Sequence, residues 1–266
     1  MSPEEAALDA RLLAKHVLCW DSVALLTSSG HQASPEFSLR YEEAVQRRCR
    51  REPLAYITGT REFWNLPFDV SADVLIPRPE TELLVEALLE RFPAHDAPLH
   101  AIDVCTGSGC VAVAIATERP RARVTATDIQ APALAVARRN ADRLGVGKRV
   151  SCVRTDLMAG LGATFHVVVA NPPYVPEVDG PGLQPEVRDF EPPPALFGGP
   201  TGLAIIERLV PQAVEHLALR GLLIFEFGAG QGAAVQALIS GTAGLTMLEI
   251  KADLAGIPRV AVAMRT

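Results

Sequence analysis

The spacing of apolar residues predicts that the chain begins with helices. Apolar residues recur at helical intervals behind Ser2 and Glu5, a pair that has the spacing of a capping box. A second helix is predicted to begin at Ser34, as its N-cap, with Pro35 at the first helical position. Residues 1–55 are therefore predicted to form a small helical domain, which gains stability by packing on the rest of the chain.

A β-hairpin is predicted next, in the segment AYITGTREFWNLPFDV. Its two β-rich runs are separated by Gly59 and Thr60, which we interpret as the turn. Residues 56–75 would then link two domains. In the following segment, IPRPETELLVEALLERF, the prolines end the extended chain, and Pro79 marks the start of a helix that runs to Phe92.

From Leu99 onward, strand-like apolar runs alternate with helical patterns. The strand-like runs are LHAIDV, RVTATD, RVSCV and FHVVVA, and the helical patterns between them are CVAVAIATER and APALAVARRNADRL. A further strand is predicted at GLLIFEF. Near-continuous apolar strands separated by helices indicate a parallel sheet that is covered on both faces. We therefore expect a doubly wound, mostly parallel α/β domain over residues 76–266, with the first and fourth of these strands side by side at the switch in strand order.

One segment of this domain lacks any periodicity. Val175 to Gly202 contains seven prolines and five glycines. A connection of that length inside a compact domain is typical of a functional loop or lid.

Net charge and cysteine content limit the functional classes to which the protein can belong. The 266-residue chain has a net charge of -6, so it lacks the overall charge of a protein that grips nucleic acid. Basic clusters at residues 47–51 and 138–143 are interpreted as solvated helix faces. The five cysteines are odd in number and show no C-x-x-C spacing, which argues against a disulfide framework and against a metal site. With neither a signal peptide nor a membrane-spanning stretch predicted, a cytoplasmic protein is expected.

The segment AIDVCTGSGC predicts a nucleoside site. Asp103 lies near the end of the first sheet strand, and the glycines that follow allow a tight turn into a helix whose N-terminus offers free N–H groups. The second strand ends in Asp128, whose carboxylate can accept both hydrogen bonds from a ribose diol. Gly107, Gly109 and Ala112 also fit the dinucleotide fingerprint, so the pattern leaves nicotinamide cofactors and S-adenosylmethionine both open.

The fourth strand, Phe165 to Ala170, stops abruptly at the sequence NPPY. Asn171 carries an acceptor and a donor on one side chain, Pro172 holds its carbonyl on a stiff backbone, and Tyr174 presents a flat apolar face. This set suits a planar group that bears an NH2, either the amide of glutamine or asparagine or the exocyclic amine of adenine or cytosine. Because an amide nitrogen is a poor nucleophile, positioning would supply much of the rate.

Seven segments, in the same order, are similar to those of the peptide chain release factor glutamine N5-methyltransferases, which are class I S-adenosylmethionine-dependent enzymes. They are REPLAYITGTREFW, VLIPRPETELLVE, DVCTGSGC, NPPYVP, PEVRDFEPPPALFGGPTGL, FEFGAGQG and DLAGIPRV, and they span about residues 50–260. The sequence NPPY alone is less specific, because amino-methyltransferases of DNA share it. The likeness of IPRPETE and PEVRDFEP to the family is the most specific.

The resemblance implies a Rossmann-like class I methyltransferase fold and methylation of the glutamine in the Gly-Gly-Gln motif of class I release factors, which modulates translation termination. The cofactor residues that it implies are Cys105, Thr106, Gly107, Ser108, Gly109, Asp128, Asp156, Leu157 and Asn171. The substrate residues that it implies are Asn171, Pro172, Pro173 and Tyr174, with Asn171, Pro172 and Tyr174 in the catalytic role. It also implies that the N-terminal helices help to recognise the release factor, and that nucleic acid is not the direct substrate.

Cys105 departs from the family, which commonly has glycine at this position. We therefore expect that the turn does not require a positive φ there. Three other functions remain open from the residues alone. They are a DNA or RNA amino-methyltransferase, a nicotinamide-dependent oxidoreductase, and a cofactor-binding scaffold without activity.

Overall fold

The computed structural model describes residues 2–27 and 33–266. The helices are α1 Pro3–Leu18, α2 Ser22–Thr27, α3 Pro35–Cys49, α4 Leu54–Thr58, α5 Glu82–Arg91, α6 Cys110–Glu118, α7 Ala131–Arg143, α8 Pro185–Phe190, α9 Ala204–His216 and α10 Gly232–Gly241. The strands are β1 Thr60–Phe63, β2 Leu66–Asp69, β3 Leu99–Val104, β4 Ala122–Asp128, β5 Val150–Arg154, β6 Phe165–Ala170, β7 Leu217–Glu226, β8 Leu245–Ala252 and β9 Pro258–Arg265.

The helix starts in the N-terminal part are confirmed. Ser2 and Glu5 form a capping box, in which the Ser2 hydroxyl accepts from the Glu5 N–H at 3.2 Å and the Glu5 carboxylate accepts from the Ser2 N–H at 2.6 Å. Ser34 caps α3 by accepting from the Phe37 N–H at 3.1 Å. Helices α1, α3 and α4 enclose a small core. Its buried members are Leu13, Val17, Ala44 and Ile57.

The linking hairpin is present, but the predicted position of its turn is wrong. Residues 54–58 form α4, and Gly59 ends that helix with a φ of 74°. The two strands β1 and β2 pair in antiparallel register around Trp64 and Asn65, whose φ values of 53° and 55° are those of a type I′ turn. Trp64 is held there by distant partners, because its backbone N–H donates to Glu82 at 2.7 Å and its indole N–H donates to Glu118 at 2.8 Å.

The central sheet has seven strands in the order β5-β4-β3-β6-β7-β9-β8. Strand β3 pairs in parallel with both β4 and β6, which confirms the predicted switch point, and β9 is antiparallel to both of its neighbours. Apolar side chains fill a core on each face of the sheet. Ligands of such sheets bind at the carboxyl ends of the strands beside the switch. Within the described residues, no helix is long and apolar enough to cross a bilayer.

The basic cluster at residues 47–51 is only partly a solvated face. The Arg48 side chain is 14% exposed and forms ion pairs with Asp9 at 2.6 Å and Glu186 at 3.2 Å, and Arg51 pairs with Glu186 at 2.8 Å. The interpretation as a solvated helix face is therefore wrong for Arg48. The carboxylates that pair with Arg48 lie on α1 and α8, more than thirty positions away in the chain, so local charge spacing could not reveal them.

Candidate active site

A cavity of about 510 Å³ opens at the carboxyl ends of the strands beside the switch point. The residues predicted to bind cofactor or substrate that line it are Cys105, Thr106, Gly107, Ser108, Asp128, Asp156, Leu157, Asn171 and Pro173. Gly109, Pro172 and Tyr174 lie next to these residues in the chain and outside the cavity lining. The structure thus brings most of the predicted residues together at the predicted edge of the sheet.

The turn after β3 has a left-handed backbone at three positions. The φ values are 59° at Cys105, 53° at Gly107 and 81° at Gly109. The expectation for Cys105 is therefore wrong, because the turn imposes a positive φ there, at a cost of roughly 1–2 kcal/mol for a residue with a Cβ. Burial and the nearby carboxylate of Asp128 raise the pKa of the Cys105 thiol, which favours its protonated, less reactive form.

The two glycines of the turn are needed for different reasons. A Cβ added to Gly107 would meet nothing within 4 Å, whereas one added to Gly109 would lie 3.0 Å from the Cβ of Ala137 on α7. Gly107 lines the cavity, and its open flank leaves room for a ligand to approach the backbone. Gly109, the N-cap of α6, is required for the packing of α6 on α7.

Asp103 holds this turn from the end of β3. One of its carboxylate oxygens, Oδ2, accepts from the Thr106 hydroxyl at 2.6 Å and from the Ala112 N–H at 3.1 Å. Burial raises the pKa of Asp103 to about 7, although these two donors oppose the shift. The carboxyl group thereby fixes the loop to the first turn of α6.

Asp128, at the end of β4, is oriented by the backbone. Its Oδ2 accepts from the Gly107 N–H at 3.0 Å, and its Oδ1 accepts from the Gln130 N–H at 2.9 Å. Burial raises its pKa, and the hydrogen bond from Gln130 is the largest of the effects that oppose the shift. Each oxygen keeps a second lone pair, so the fixed carboxylate suits two hydroxyl donors such as those of a ribose. This donor set and the open flank of Gly107 fit a nucleoside-bearing cofactor.

Asp156 and Leu157, which follow β5, also line the cavity. Leu157 has a φ of 54° and is buried, and it adds apolar surface to the cavity. Asp156 forms an ion pair with Arg208 of α9, which also lines the cavity. No pattern in the sequence indicated a role for Arg208.

Asn171 directly follows β6, and the nitrogen and the oxygen of its side-chain amide differ in their hydrogen bonding. The Nδ2 group donates to the Thr81 hydroxyl at 3.0 Å. Among residues 2–27 and 33–266, no donor reaches the Asn171 Oδ1 or the Pro172 carbonyl oxygen. Two acceptors are thus left without a partner at the start of NPPY. The Tyr174 hydroxyl donates to Glu226 Oε1 at 2.8 Å, and burial raises the pKa of this phenol.

The long segment from Val175 to Gly202 forms one wall of the cavity. Its Glu191 is buried and binds Arg78 at 2.5 Å, and both Pro192 and Phe197 line the cavity. The segments IPRPETE and PEVRDFEP therefore meet at this salt bridge. Burial raises the pKa of Glu191, and Arg78 opposes that shift.

Four residues of this region had no role predicted from the sequence. They are Thr81, Arg78, Glu191 and Glu226. A signal was available for Glu226, because an acidic residue inside the apolar run GLLIFEF requires buried partners. Thr81 carries no such signal.

The sheet order is that of the class I methyltransferase fold, and the cavity fits the nucleoside part of S-adenosylmethionine, the cofactor of that class. A solved structure with this fold is the ribosomal protein L11 methylase from Lactobacillus delbrueckii subsp. bulgaricus, with a TM-score of 0.52 and 23% identity, covering 71% of this chain and 81% of that one. Two family models match, the PrmC N-terminal domain over residues 2–59 and the methyltransferase small domain over residues 79–180.

Relatives of known name identify the family. The release factor glutamine methyltransferase of Koribacter versatilis is 43% identical over 257 residues, which are 96% of this chain and 90% of that protein. The release factor glutamine methyltransferase of Burkholderia pseudomallei is 44% identical over 259 residues, with 95% and 90% covered. The chain belongs to the release factor glutamine methyltransferases.

The two glycines of the first turn give a matched pair of predictions. We expect Gly109→Ala to lower the melting temperature more than Gly107→Ala, because overpacking against Ala137 adds about 1–3 kcal/mol to a backbone strain that both variants share. We expect Gly107→Ala to weaken S-adenosylmethionine binding, since its methyl group enters the open flank. Thermal denaturation and calorimetric titration measure the two effects, and equal melting temperatures would contradict the packing role of Gly109.

Asp103 predicts a pH dependence of stability. Its folded-state pKa of about 7 lies above the ordinary value of 3.8, so the folded protein keeps a proton that the unfolded chain releases between these values. The contribution of Asp103 to the free energy of unfolding therefore falls as the pH rises from about 4 to 7, by up to about 4 kcal/mol. In Asp103→Asn the single amide oxygen can keep both hydrogen bonds, and we expect a shallower decline over this range. Denaturant unfolding at several pH values tests this, and identical slopes would contradict it.

Proposed function

We propose that this protein transfers a methyl group from S-adenosylmethionine to the side-chain amide nitrogen of the glutamine in the Gly-Gly-Gln motif of class I release factors. The relatives described above are named release factor glutamine methyltransferases, which supports the glutamine of a release factor as the substrate. The observation that carries the proposal is the pair of unpartnered acceptors, Asn171 Oδ1 and the Pro172 carbonyl, beside a cavity suited to the cofactor. An NH2 group has the two donors that such a pair requires.

Each residue of the site has a distinct part in the reaction. When bound, the cofactor supplies a methyl group on a positively charged sulfur. Asp128 would bind the ribose hydroxyls, and Leu157 with Asp156 would flank the adenine. Asn171 and Pro172 would accept hydrogen bonds from the two N–H groups of the substrate amide and so orient its nitrogen toward the cofactor. Most of the rate comes from this positioning, because the methyl group is already reactive. Transfer of the methyl group would leave the neutral thioether S-adenosylhomocysteine, and the substrate nitrogen would lose one N–H proton to solvent.

We assign recognition of the release factor to the N-terminal helices. In this view residues 1–55 form the recognition domain, residues 56–75 the linker and residues 76–266 the catalytic domain. The match of a separate family model to residues 2–59 supports this division. The ion pairs of Arg48 and Arg51 with Glu186 tie α3 to the segment that forms the cavity wall. We place the reaction in the cytoplasm, where release factors act.

Incubation of the purified protein with S-adenosylmethionine and a release factor tests the proposal. We expect mass spectrometry to find one added methyl group, on the glutamine of Gly-Gly-Gln. Duplex DNA in place of the release factor serves as the control substrate and should remain unmodified, consistent with the net charge of -6. Methylated DNA together with an unmodified release factor would overturn the proposal in favour of an amino-methyltransferase of nucleic acid.

A further inference from the structure

A buried carboxylate lies behind the two substrate-side residues, Asn171 and Tyr174. Glu226, the last residue of β7, is 1% exposed. Its Oε2 accepts from the Thr81 hydroxyl at 2.7 Å, and its Oε1 accepts from the Tyr174 hydroxyl at 2.8 Å. Burial raises the pKa of Glu226, and these two donors together with Arg259 oppose the shift. The proposed chemistry has no step that uses this group.

The hydrogen bonds of this cluster run in one direction. The Thr81 hydroxyl has a single proton, which it gives to the carboxylate, so toward Asn171 it can act only as an acceptor. The group of Asn171 that faces Thr81 must then be the NH2, as the contact of 3.0 Å from Nδ2 shows. The amide oxygen consequently lies on the opposite side, free to accept from a substrate. Through Thr81, the Glu226 carboxylate thus determines that the amide oxygen of Asn171, and not its NH2 group, faces the substrate.

We infer that Thr81 and Glu226 are positioning residues for the methyl transfer, which orient the Asn171 amide through Thr81 and the Tyr174 side chain directly. This inference rests on the proposed function, because it assigns the free oxygen of Asn171 to a substrate NH2. Reversal of the Asn171 amide would present a donor to the substrate NH2 and remove one of its two acceptors. A misplacement of this kind costs about 100-fold in rate in other enzymes.

A crossed pair of substitutions at Thr81 separates positioning from packing. Thr81→Val keeps the shape and loses the hydroxyl, whereas Thr81→Ser loses a methyl group and keeps the hydroxyl. We expect Thr81→Val to lower kcat about 10- to 100-fold with an unchanged Kd for S-adenosylmethionine, and Thr81→Ser to restore most of kcat. A role limited to the packing of the Thr81 methyl group predicts the reverse order, with Thr81→Ser the more damaged variant.

Glu226→Gln tests the carboxylate at almost constant shape. Thr81 and Tyr174 donate to different oxygens of the carboxylate, and glutamine has an NH2 group in place of one of them, so it cannot accept from both donors as they are arranged. We expect a kcat about 10- to 100-fold below that of the wild type, with the Kd for the cofactor preserved. A wild-type kcat in both Glu226→Gln and Thr81→Val would overturn the inference.

An NMR measurement keeps this test independent of the proposed activity. In the wild type, a proton of the Asn171 side-chain amide is expected to exchange slowly with solvent, because it is hydrogen bonded to buried Thr81. Thr81→Val should accelerate this exchange, and Thr81→Ser should not. If the wild type leaves release factors unmodified while this pattern holds, the proposed function fails and the orienting network stands. If exchange is equally slow in Thr81→Val, the network itself is refuted.

Discussion

Asn171→Ala is expected to lower kcat for methylation of the release factor by about 100- to 1,000-fold, the size of effect seen when one group that positions or stabilises a reacting centre is removed. The substitution removes the acceptor that faces the substrate and leaves the Pro172 carbonyl as a single contact. The amide nitrogen of the substrate would then rotate away from the methyl group. Steady-state assays with S-adenosylmethionine and a purified release factor measure this loss.

Cofactor binding and a matched asparagine provide the controls for this variant. Asn171 lines the cavity at one point among many, so the Kd for S-adenosylmethionine should change far less than kcat. Asn65 lies in the β1–β2 turn with a φ of 55°, outside the cavity, and Asn65→Gly preserves that backbone. We expect Asn65→Gly to keep the wild-type kcat. A folded Asn171→Ala protein with wild-type kcat would show that the NPPY side chain does not position the substrate.

Asp128→Ala is expected to raise the Kd for S-adenosylmethionine by at least about 100-fold. Hydrogen bonds to a charged group contribute about 1.5–3 kcal/mol each, and the variant loses those of the ribose as well as the contacts that hold the Gly107 N–H and the Gln130 N–H. Calorimetric titration measures this change, and saturating cofactor should recover part of kcat.

An acidic residue outside the site serves as the control for Asp128. Asp96 lies on the loop before β3, and its side chain is 80% exposed. Asp96→Asn changes the net charge by the same amount, and we expect an unchanged Kd. If both variants bind the cofactor as tightly as the wild type, Asp128 does not hold the ribose.

The architecture could be predicted because the spacing of apolar residues along the chain depends on which side chains are buried. Continuous apolar strands such as β3 and β6 indicate a sheet covered on both faces, and their adjacency follows from the doubly wound topology. The hairpin turn was misplaced because Trp64 and Asn65 adopt φ values usually associated with glycine. Trp64 donates hydrogen bonds to Glu82 and Glu118, which are contacts that local rules do not include.

The site was predictable where its residues are consecutive and less so where they are not. The turn after β3 and the residues after β6 each stand together in the sequence, so their chemistry can be deduced from the residue types. The orienting contacts join Thr81 to Glu226 across 145 positions and to Asn171 across 90 positions, and no spacing rule connects them. The φ of Cys105 was mispredicted for a related reason, since the turn and not the residue type decides that backbone.

Mass spectrometry of release factors from cells with and without this protein tests the central claim most directly. We predict that the glutamine of Gly-Gly-Gln carries one methyl group in cells with the protein and none in cells without it. The gene for the wild-type protein should restore the modification, and the gene for Asn171→Ala should not. A glutamine that is methylated to the same extent in both kinds of cell would contradict the account.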